Sequence, residues 1–239
     1  MLELGPPRRE IAEGCRVLAA RRLAPGILGH ISVRADASRL LIRCRGPKER
    51  GLAYTTDEDV RLVGPDGGGS GDGYTPPFEL PLHTRILERR PDVMCVVHAH
   101  PRDVVVADLA GLPILPVVGA YDIPGAALAA DGVPVYPRAA LIHTPGLADE
   151  VADALGAHHA VVMRGHGLTT VGASVAEAVL RAISVQSIAS ISLSVAAAGG
   201  TPRPIPDEDL AELPNLGSGL NLGAAWRHEL ARLHEGGLP

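Results

Sequence analysis

Val93-Met-Cys-Val-Val-His98-Ala-His100-Pro101 (VMCVVHAHP) is the stretch on which the fold turns. Its first five residues are apolar without alternation, the pattern of a strand covered on both faces, and it ends in two histidines. Pro101 suits the first turn of a helix, which the spacing continues from Arg102 to Ala110. Upstream, Glu79, Leu82, His83, Ile86 and Leu87 recur at helical intervals from Pro77, and Pro91 stops the pattern. Downstream, Leu147 to Leu155 reads as a helix and Ala160 to Met163 (AVVM) as a second buried strand, followed at once by Arg164-Gly-His166-Gly167. Ser174 with Glu177 forms a capping box for a long Ala-rich helix that Gly199-Gly200 ends. Strands and helices that alternate in this way define an α/β fold with helical layers around a sheet.

The flanks fit the same plan. Ile11, Cys15 and Leu18 mark an amphipathic helix between Pro7 and Leu23. Ile27–Val33 and Leu40–Arg43 read as a β-hairpin across the turn-rich Ala35–Ser38, and the glycine-rich Gly64–Gly73 as a surface connection. Ala182 to Pro202 carries no charge, yet its serines, glutamine and glycines make it too polar for a membrane span, so it is expected as a helix buried in the protein. No repeat or linker interrupts residues 1–200, which form one expected catalytic domain. Residues 201–239 form an extension with a helix from about Leu222 to Leu233, packed on the same domain or on a neighbouring subunit.

Composition narrows the function. Lys and Arg number 22 against 27 Asp and Glu, a net charge of -5, which argues against nucleic acid or an anionic membrane as partner. Aromatics at 3% leave little for stacking on bases. Cys15, Cys44 and Cys95 are odd in number with no CxxC spacing, so neither a disulfide framework nor a cysteine zinc site is expected, and a cytoplasmic location fits.

His98 and His100 are two apart at a strand end, so both imidazoles can reach one metal ion. His166 adds a third from a Gly-His-Gly turn after another strand, and three histidines with an open position suit a catalytic metal site. Glu79 precedes the histidine strand by one helix and shares a helical face with His83, so its carboxylate could ligate the metal, act as a general base, or simply favour a helix N-terminus. A cupin would need a glutamate further along the strand, where a helix is expected instead. Nothing in the chain resembles a serine or cysteine nucleophile elbow. His143, His158, His159, His228 and His234 have no partner spacing and read as structural or solvated.

Glu79-Leu-Pro-Leu-His83, Arg90-Pro-Asp-Val93 through His98-Ala-His100-Pro101, and Arg164-Gly-His166-Gly-Leu168 with Gly172, taken in this order, resemble the class II aldolase/adducin family over nearly all of residues 8–195. The resemblance implies a three-layer α/β/α fold around a central, mostly antiparallel sheet. It implies a divalent metal held by His98, His100 and His166, proton chemistry at Glu79, and a homotetramer with active sites at subunit interfaces. Tyr136 stands roughly where some family aldolases place a proton-donating tyrosine, although Pro137-Arg138-Ala139 do not continue that motif, and simple packing is its other reading.

The chain departs from the family's sugar-phosphate aldolases where those enzymes cradle phosphate. It has Gly29-His30-Ile31-Ser32, Arg43-Cys44-Arg45-Gly46 and Pro77-Phe78-Glu79 in place of small hydroxyl-bearing loops. Guanidinium forks beside a phenyl ring suit a carboxylated aromatic molecule, with His30, Ser32, Arg43, Arg45 and Gly46 as candidate substrate contacts. This variant pattern resembles the branch of non-oxidative decarboxylases of hydroxylated aromatic dicarboxylates, those of dihydroxyphthalate and pyridine dicarboxylates among them. The expected function is therefore a metal-dependent lyase of that kind. An aldolase for a non-phosphorylated hydroxy-keto acid and a non-catalytic adducin-like module are the alternatives. Zinc is the first choice of metal, and three imidazoles equally suit manganese, iron or cobalt.

Overall fold

A computed structural model of the chain describes residues 4–215 and 219–235. Seven strands form one sheet in the order β3-β2-β1-β4-β7-β6-β5, with β1 His30–Arg34, β2 Leu40–Arg43, β3 Val60–Val63, β4 Cys95–Ala99, β5 Val135–Tyr136, β6 Ala160–Met163 and β7 Gly167–Gly172. Every pairing is antiparallel except β5 with β6. The α/β/α class and the mostly antiparallel sheet are as expected.

β4 lies at the sheet's centre, and its unbroken apolar run serves two cores. Cys95, Val97 and Ala99 join the core shared with α1 (Gly5–Ala20), α3 (Arg102–Leu109) and α6 (Val175–Ala197), while Val96 faces the core of α2 (Leu80–Arg89) and α5 (Pro145–Leu155). Both cores are mostly aliphatic, with Tyr136 the large aromatic in the second, and each aliphatic side chain fully removed from water contributes about 1.5–3 kcal/mol. α6 is long and apolar enough to cross a membrane, but here it packs on β4, β7, α1 and α3.

Local chemistry sets the boundaries. The β1–β2 turn is held by Asp36, whose carboxylate accepts from the backbone N–H groups of Ser38 and Arg39. The Ser174 hydroxyl caps α6 by accepting from the Glu177 N–H, but the Glu177 carboxylate takes the N–H of Ala173 rather than that of Ser174, so the expected box is offset by one residue. The first strand begins at His30 rather than Ile27, because Gly29 turns the chain at φ +86° with no room for a side chain beside Ala24 and the His98 carbonyl.

The remaining helices are α4 (Ile123–Leu128), α7 (Asp207–Glu212) and α8 (Gly219–His234). α8 packs on α1 and α6 of its own chain. Trp226 and Leu230 touch the core, and the buried Glu229 receives a two-pronged ion pair from Arg21 at 2.5 and 2.7 Å. Of the extension expected over 201–239, residues 216–218 and 236–239 lie outside the described residues.

Candidate metal centre

One end of the sheet gathers the titratable side chains. The β1 and β4 register places His30 opposite His98, and His100 follows just past the end of β4, its N–H donating to the Leu23 carbonyl at 2.8 Å. His166 sits in the three-residue turn between β6 and β7. Gly167, the first residue of β7, approaches so closely that a Cβ there would lie 2.4 Å from the Ala99 carbonyl oxygen and 2.9 Å from His100 Cδ2. Only glycine lets the His166 turn close against the strand end that carries His98 and His100.

Glu79 completes the group from the opposite layer. It is not inside α2, as the helical spacing suggested, but is the residue before its first turn, with φ -89° and ψ 23°. Off the helix, its side chain reaches the sheet instead of lying along the helix face beside His83. Ligand atoms of Glu79, His98, His100 and His166 all lie within 4.8 Å of one another. His98 Nε2 is 3.3 Å from Glu79 Oε2 and 2.8 Å from His100 Nε2, and His166 Nε2 is 3.6 Å from Glu79 Oε1. The Ile142 N–H donates to Glu79 Oε1 at 3.0 Å, fixing the carboxylate from behind.

The electrostatics favour a cation at the centre of this group. Burial pushes the Glu79 carboxyl up, but hydrogen bonding with the facing His30 ring outweighs it, so the group lies well below the usual carboxylate range and is ionised. Burial pushes His100 down to about 3 and His166 down as well, which keeps these imidazoles neutral. The Thr169 hydroxyl donates to the Met163 sulfur at 3.3 Å, so its oxygen can accept the Nδ1–H of His98 at 3.2 Å. That tautomer turns the His98 Nε2 lone pair towards the Glu79 carboxylate and His100. Electron pairs that converge at 2.8–3.3 Å repel unless a proton or metal ion lies between them, so the residues fit a divalent metal.

A buried polar chain extends behind Glu79. His30 Nε2 faces Glu79 Oε2 at 3.7 Å, His30 Nδ1 is 2.7 Å from His83 Nε2, and His83 Nδ1 is 2.7 Å from Ser32 Oγ. Burial lowers His30 to about 4 and His83 well below its ordinary value. Ser32 is fully buried and His30 nearly so. Both were expected to touch substrate, but in this conformation each is committed to the interior chain, with only the Nε2 edge of His30 turned to the site. The spacing of Glu79 and His83 hinted at an association, but His83 was not expected to bridge His30 and Ser32, because that contact depends on β1 lying under α2.

The other candidates are more scattered. Tyr136 is buried on β5 and its hydroxyl donates to Glu150 on α5 at 2.7 Å, outside the Glu79 group. That is the packing alternative raised by the sequence. Arg43 is buried at the end of β2, pairs with Glu49 at 2.5 Å, and lines a cavity of about 530 Å³ with Lys48, Arg50, Tyr54 and Tyr74. Arg45 makes a backbone bridge to Thr75, and Gly46 is packed under the Tyr74 ring. Phe78 and Leu141 are exposed, each next in sequence to a residue that shapes the site, Glu79 and Ile142. Among the single histidines, His143 and His158 bond to backbone carbonyls two and three residues earlier, and the side chain of His234 lies outside the described residues.

A seven-stranded α/β/α fold with a three-histidine, one-glutamate donor group at one end of its sheet defines the class, and the chain belongs to it: residues 9–193 match the class II aldolase and adducin N-terminal domain family. Two relatives are similar over nearly their whole length. The 3,4-dihydroxyphthalate decarboxylase of Terrabacter sp. (strain DBF63) is 60% identical over 95% of this chain and 96% of its own. That of Arthrobacter keyseri is 57% identical over 95% and 93%. The fold matches the solved structure of L-fuculose 1-phosphate aldolase from Glaciozyma antarctica PI12, with a TM-score of 0.78 at 21% identity over 98% of this chain and 92% of that one.

Proposed function

We propose that this protein is a divalent-metal-dependent, non-oxidative decarboxylase whose substrate is 3,4-dihydroxyphthalate or a close hydroxylated aromatic dicarboxylate. The observation that carries the proposal is the donor group of Glu79, His98, His100 and His166, in a chain 57–60% identical to enzymes of that activity. His98, His100 and His166 would hold the metal, with Glu79 beside it. When bound, the metal supplies Lewis-acid stabilisation of the oxygen that takes up electron density as the carbon–carbon bond breaks.

The chain's own groups account for the protons. Glu79 is ionised at rest, so it can take the proton of a ring hydroxyl as the substrate binds. Cleavage of the ring–carboxylate bond leaves its electron pair on the ring carbon, carbon dioxide departs, and Glu79 returns the proton to that carbon; the phenolate left behind takes one proton from solvent on release, giving a dihydroxybenzoate. Burial of the site keeps bulk water from competing for the proton. Arg43 and Arg45, with Gly46, are the proposed partners of the second carboxylate, which requires Arg43 to exchange Glu49 for substrate, while His30 and Ser32, held in the interior chain, serve the site through Glu79. Tyr136 contributes by holding β5 against α5.

The three-imidazole set supports zinc, with manganese, iron or cobalt as alternatives. Exposed Phe78 and Leu141, adjoining site residues, support a homotetramer whose active sites lie at subunit interfaces. Three free, buried cysteines support a cytoplasmic location. The test is carbon dioxide release from 3,4-dihydroxyphthalate by metal-loaded protein, with chelator-treated protein and His98→Ala as controls. Release only by the loaded wild type supports the reading. Loaded protein that releases none overturns it in favour of aldol cleavage, and protein that binds no metal favours a non-catalytic module.

A further inference from the structure

The chain Glu79–His30–His83–Ser32 has two ends that make opposite demands. At the site end, the Glu79 carboxylate is a pure acceptor, so His30 must turn an N–H, not a lone pair, towards it at 3.7 Å. At the interior end, the Ser32 hydroxyl is fully buried and carries one proton, and His83 Nδ1 at 2.7 Å is its hydrogen-bond partner. Were His83 to donate there, the hydroxyl proton would be buried without an acceptor. An imidazole keeps at least one N–H, so His83, accepting from Ser32 at Nδ1, must carry its proton on Nε2, 2.7 Å from His30 Nδ1, and His30, accepting there, must carry its own on Nε2. A single arrangement satisfies every atom: Ser32 O–H donates to His83 Nδ1, His83 Nε2–H donates to His30 Nδ1, and His30 Nε2–H points at Glu79.

We infer that His83, with Ser32 behind it, is a positioning residue that locks the tautomer of His30 so that a fixed N–H orients the Glu79 carboxylate for proton transfer. Neither His83 nor Ser32 touches the donor group itself, so both act through His30. The lock is one-directional because both ends are fixed, and it is assembled from three elements: β1 supplies His30 and Ser32, α2 supplies His83, and the residue before α2 is Glu79. Without it, His30 is free to present its Nε2 lone pair to a carboxylate, a repulsion relieved only by turning one of the two groups away.

The inference rests on the decarboxylase reading for its kinetic arm alone. The experiment combines ¹⁵N–¹H long-range correlation spectra of zinc-loaded protein labelled at histidine with steady-state kinetics and zinc stoichiometry for wild type, His83→Leu, His83→Gln and Ser32→Ala. Gln can place an N–H where the imidazole Nε2 stands, whereas Leu cannot. Expected are Nε2–H tautomers at both His30 and His83 in the wild type, and loss of the fixed His30 tautomer in His83→Leu. The kcat of that variant should fall about 10–100-fold with KM and zinc content nearly unchanged, recover most of the way in His83→Gln, and fall less in Ser32→Ala. A protonated or Nδ1–H His30 or His83 in the wild type overturns the inference, as does a folded His83→Leu protein of unchanged kcat. If His83→Leu fails to fold, the wild-type tautomers and Ser32→Ala decide the matter. Wild type that releases no carbon dioxide refutes the decarboxylase reading, and the tautomers then decide the lock by themselves.

Discussion

Gly167→Ala should damage the metal centre without touching any ligand. A methyl at this position would lie 2.4 Å from the backbone oxygen of Ala99, while ordinary contact begins at 3.4 Å, so β7 and β4 must part by about 1 Å at that point. The obstacle is backbone, which cannot rotate away as a side chain would. The same methyl lies 2.9 Å from His100 Cδ2 and pushes that ring aside. Overpacking of this kind costs about 1–3 kcal/mol, and a displaced ligand costs about 10–100-fold in metal affinity. Gly165→Ala is the matched control. A methyl there meets nothing nearer than 3.7 Å, but Gly165 has φ +59°, so the substitution costs about 1–2 kcal/mol of backbone strain and leaves His100 alone. Urea unfolding and a metal competition titration separate the two effects. Stability should fall in both variants, and affinity mainly in Gly167→Ala. Equal affinity losses in the two, or none in Gly167→Ala, would refute the claim that this close approach sets the ligand geometry.

Other perturbations have equally definite outcomes. Glu79→Gln should keep metal stoichiometry while lowering kcat about 10²–10⁴-fold, the range of a lost acid–base group, and unchanged kcat would remove Glu79 from the proton path. Tyr136→Phe should cost about 1 kcal/mol for the hydrogen bond to Glu150 and leave kcat intact, whereas a large fall in kcat with unchanged stability would make the tyrosine catalytic. Metal-free protein should lose stability as pH falls from 6.5 towards 4. The folded-state values of His30, His83 and His100 are depressed, so the unfolded chain binds more protons in that window and stability rises with pH there. Glu79, ionised in both states above its ordinary value, does not oppose this trend, and a urea midpoint unchanged between pH 7.5 and 5 would contradict it. Native protein should show no rapidly reacting thiol with a disulfide reagent at pH 8, since all three cysteines are buried and burial pushes Cys15 and Cys44 up to about 12.

The sequence was most informative where one strand had to satisfy two cores. The apolar run before His98 announces a strand covered on both faces, and its histidine ending marks the end of the sheet where the donors gather. β3, β5 and β7 were not foreseen. β7, GLTTVG, has too few large apolar residues to look like a strand, yet all six of its residues are buried, because Gly167 and Gly172 permit close approach and the Thr169 and Thr170 hydroxyls find internal partners. The His30–His83–Ser32 chain was illegible for a related reason. Periodicity places residues on faces of single elements, whereas this chain exists only because α2 lies over β1.

Glu79 shows why the donor group needs residues from both layers. Three histidines on the sheet supply imidazole donors alone, and one more histidine there would add no negative charge to the site. A carboxylate on the facing layer adds that charge, but only off the helix axis. Within the first turn of α2 its side chain would lean back over the preceding backbone, whereas just before that turn it meets His98 and His166 and receives the Ile142 N–H. Pro81 at the start of α2 helps fix where the helix begins, since proline suits a first turn. Pro81→Ala should therefore leave the core intact but loosen the helix start. Because Glu79 then samples positions away from His98, kcat should fall several-fold more than stability alone predicts. Hydrogen exchange at the Leu82 amide, which donates to the Glu79 carbonyl at 3.0 Å, reads that loosening directly. Exchange as slow as in the wild type alongside reduced kcat would show that the start of the helix does not govern the carboxylate.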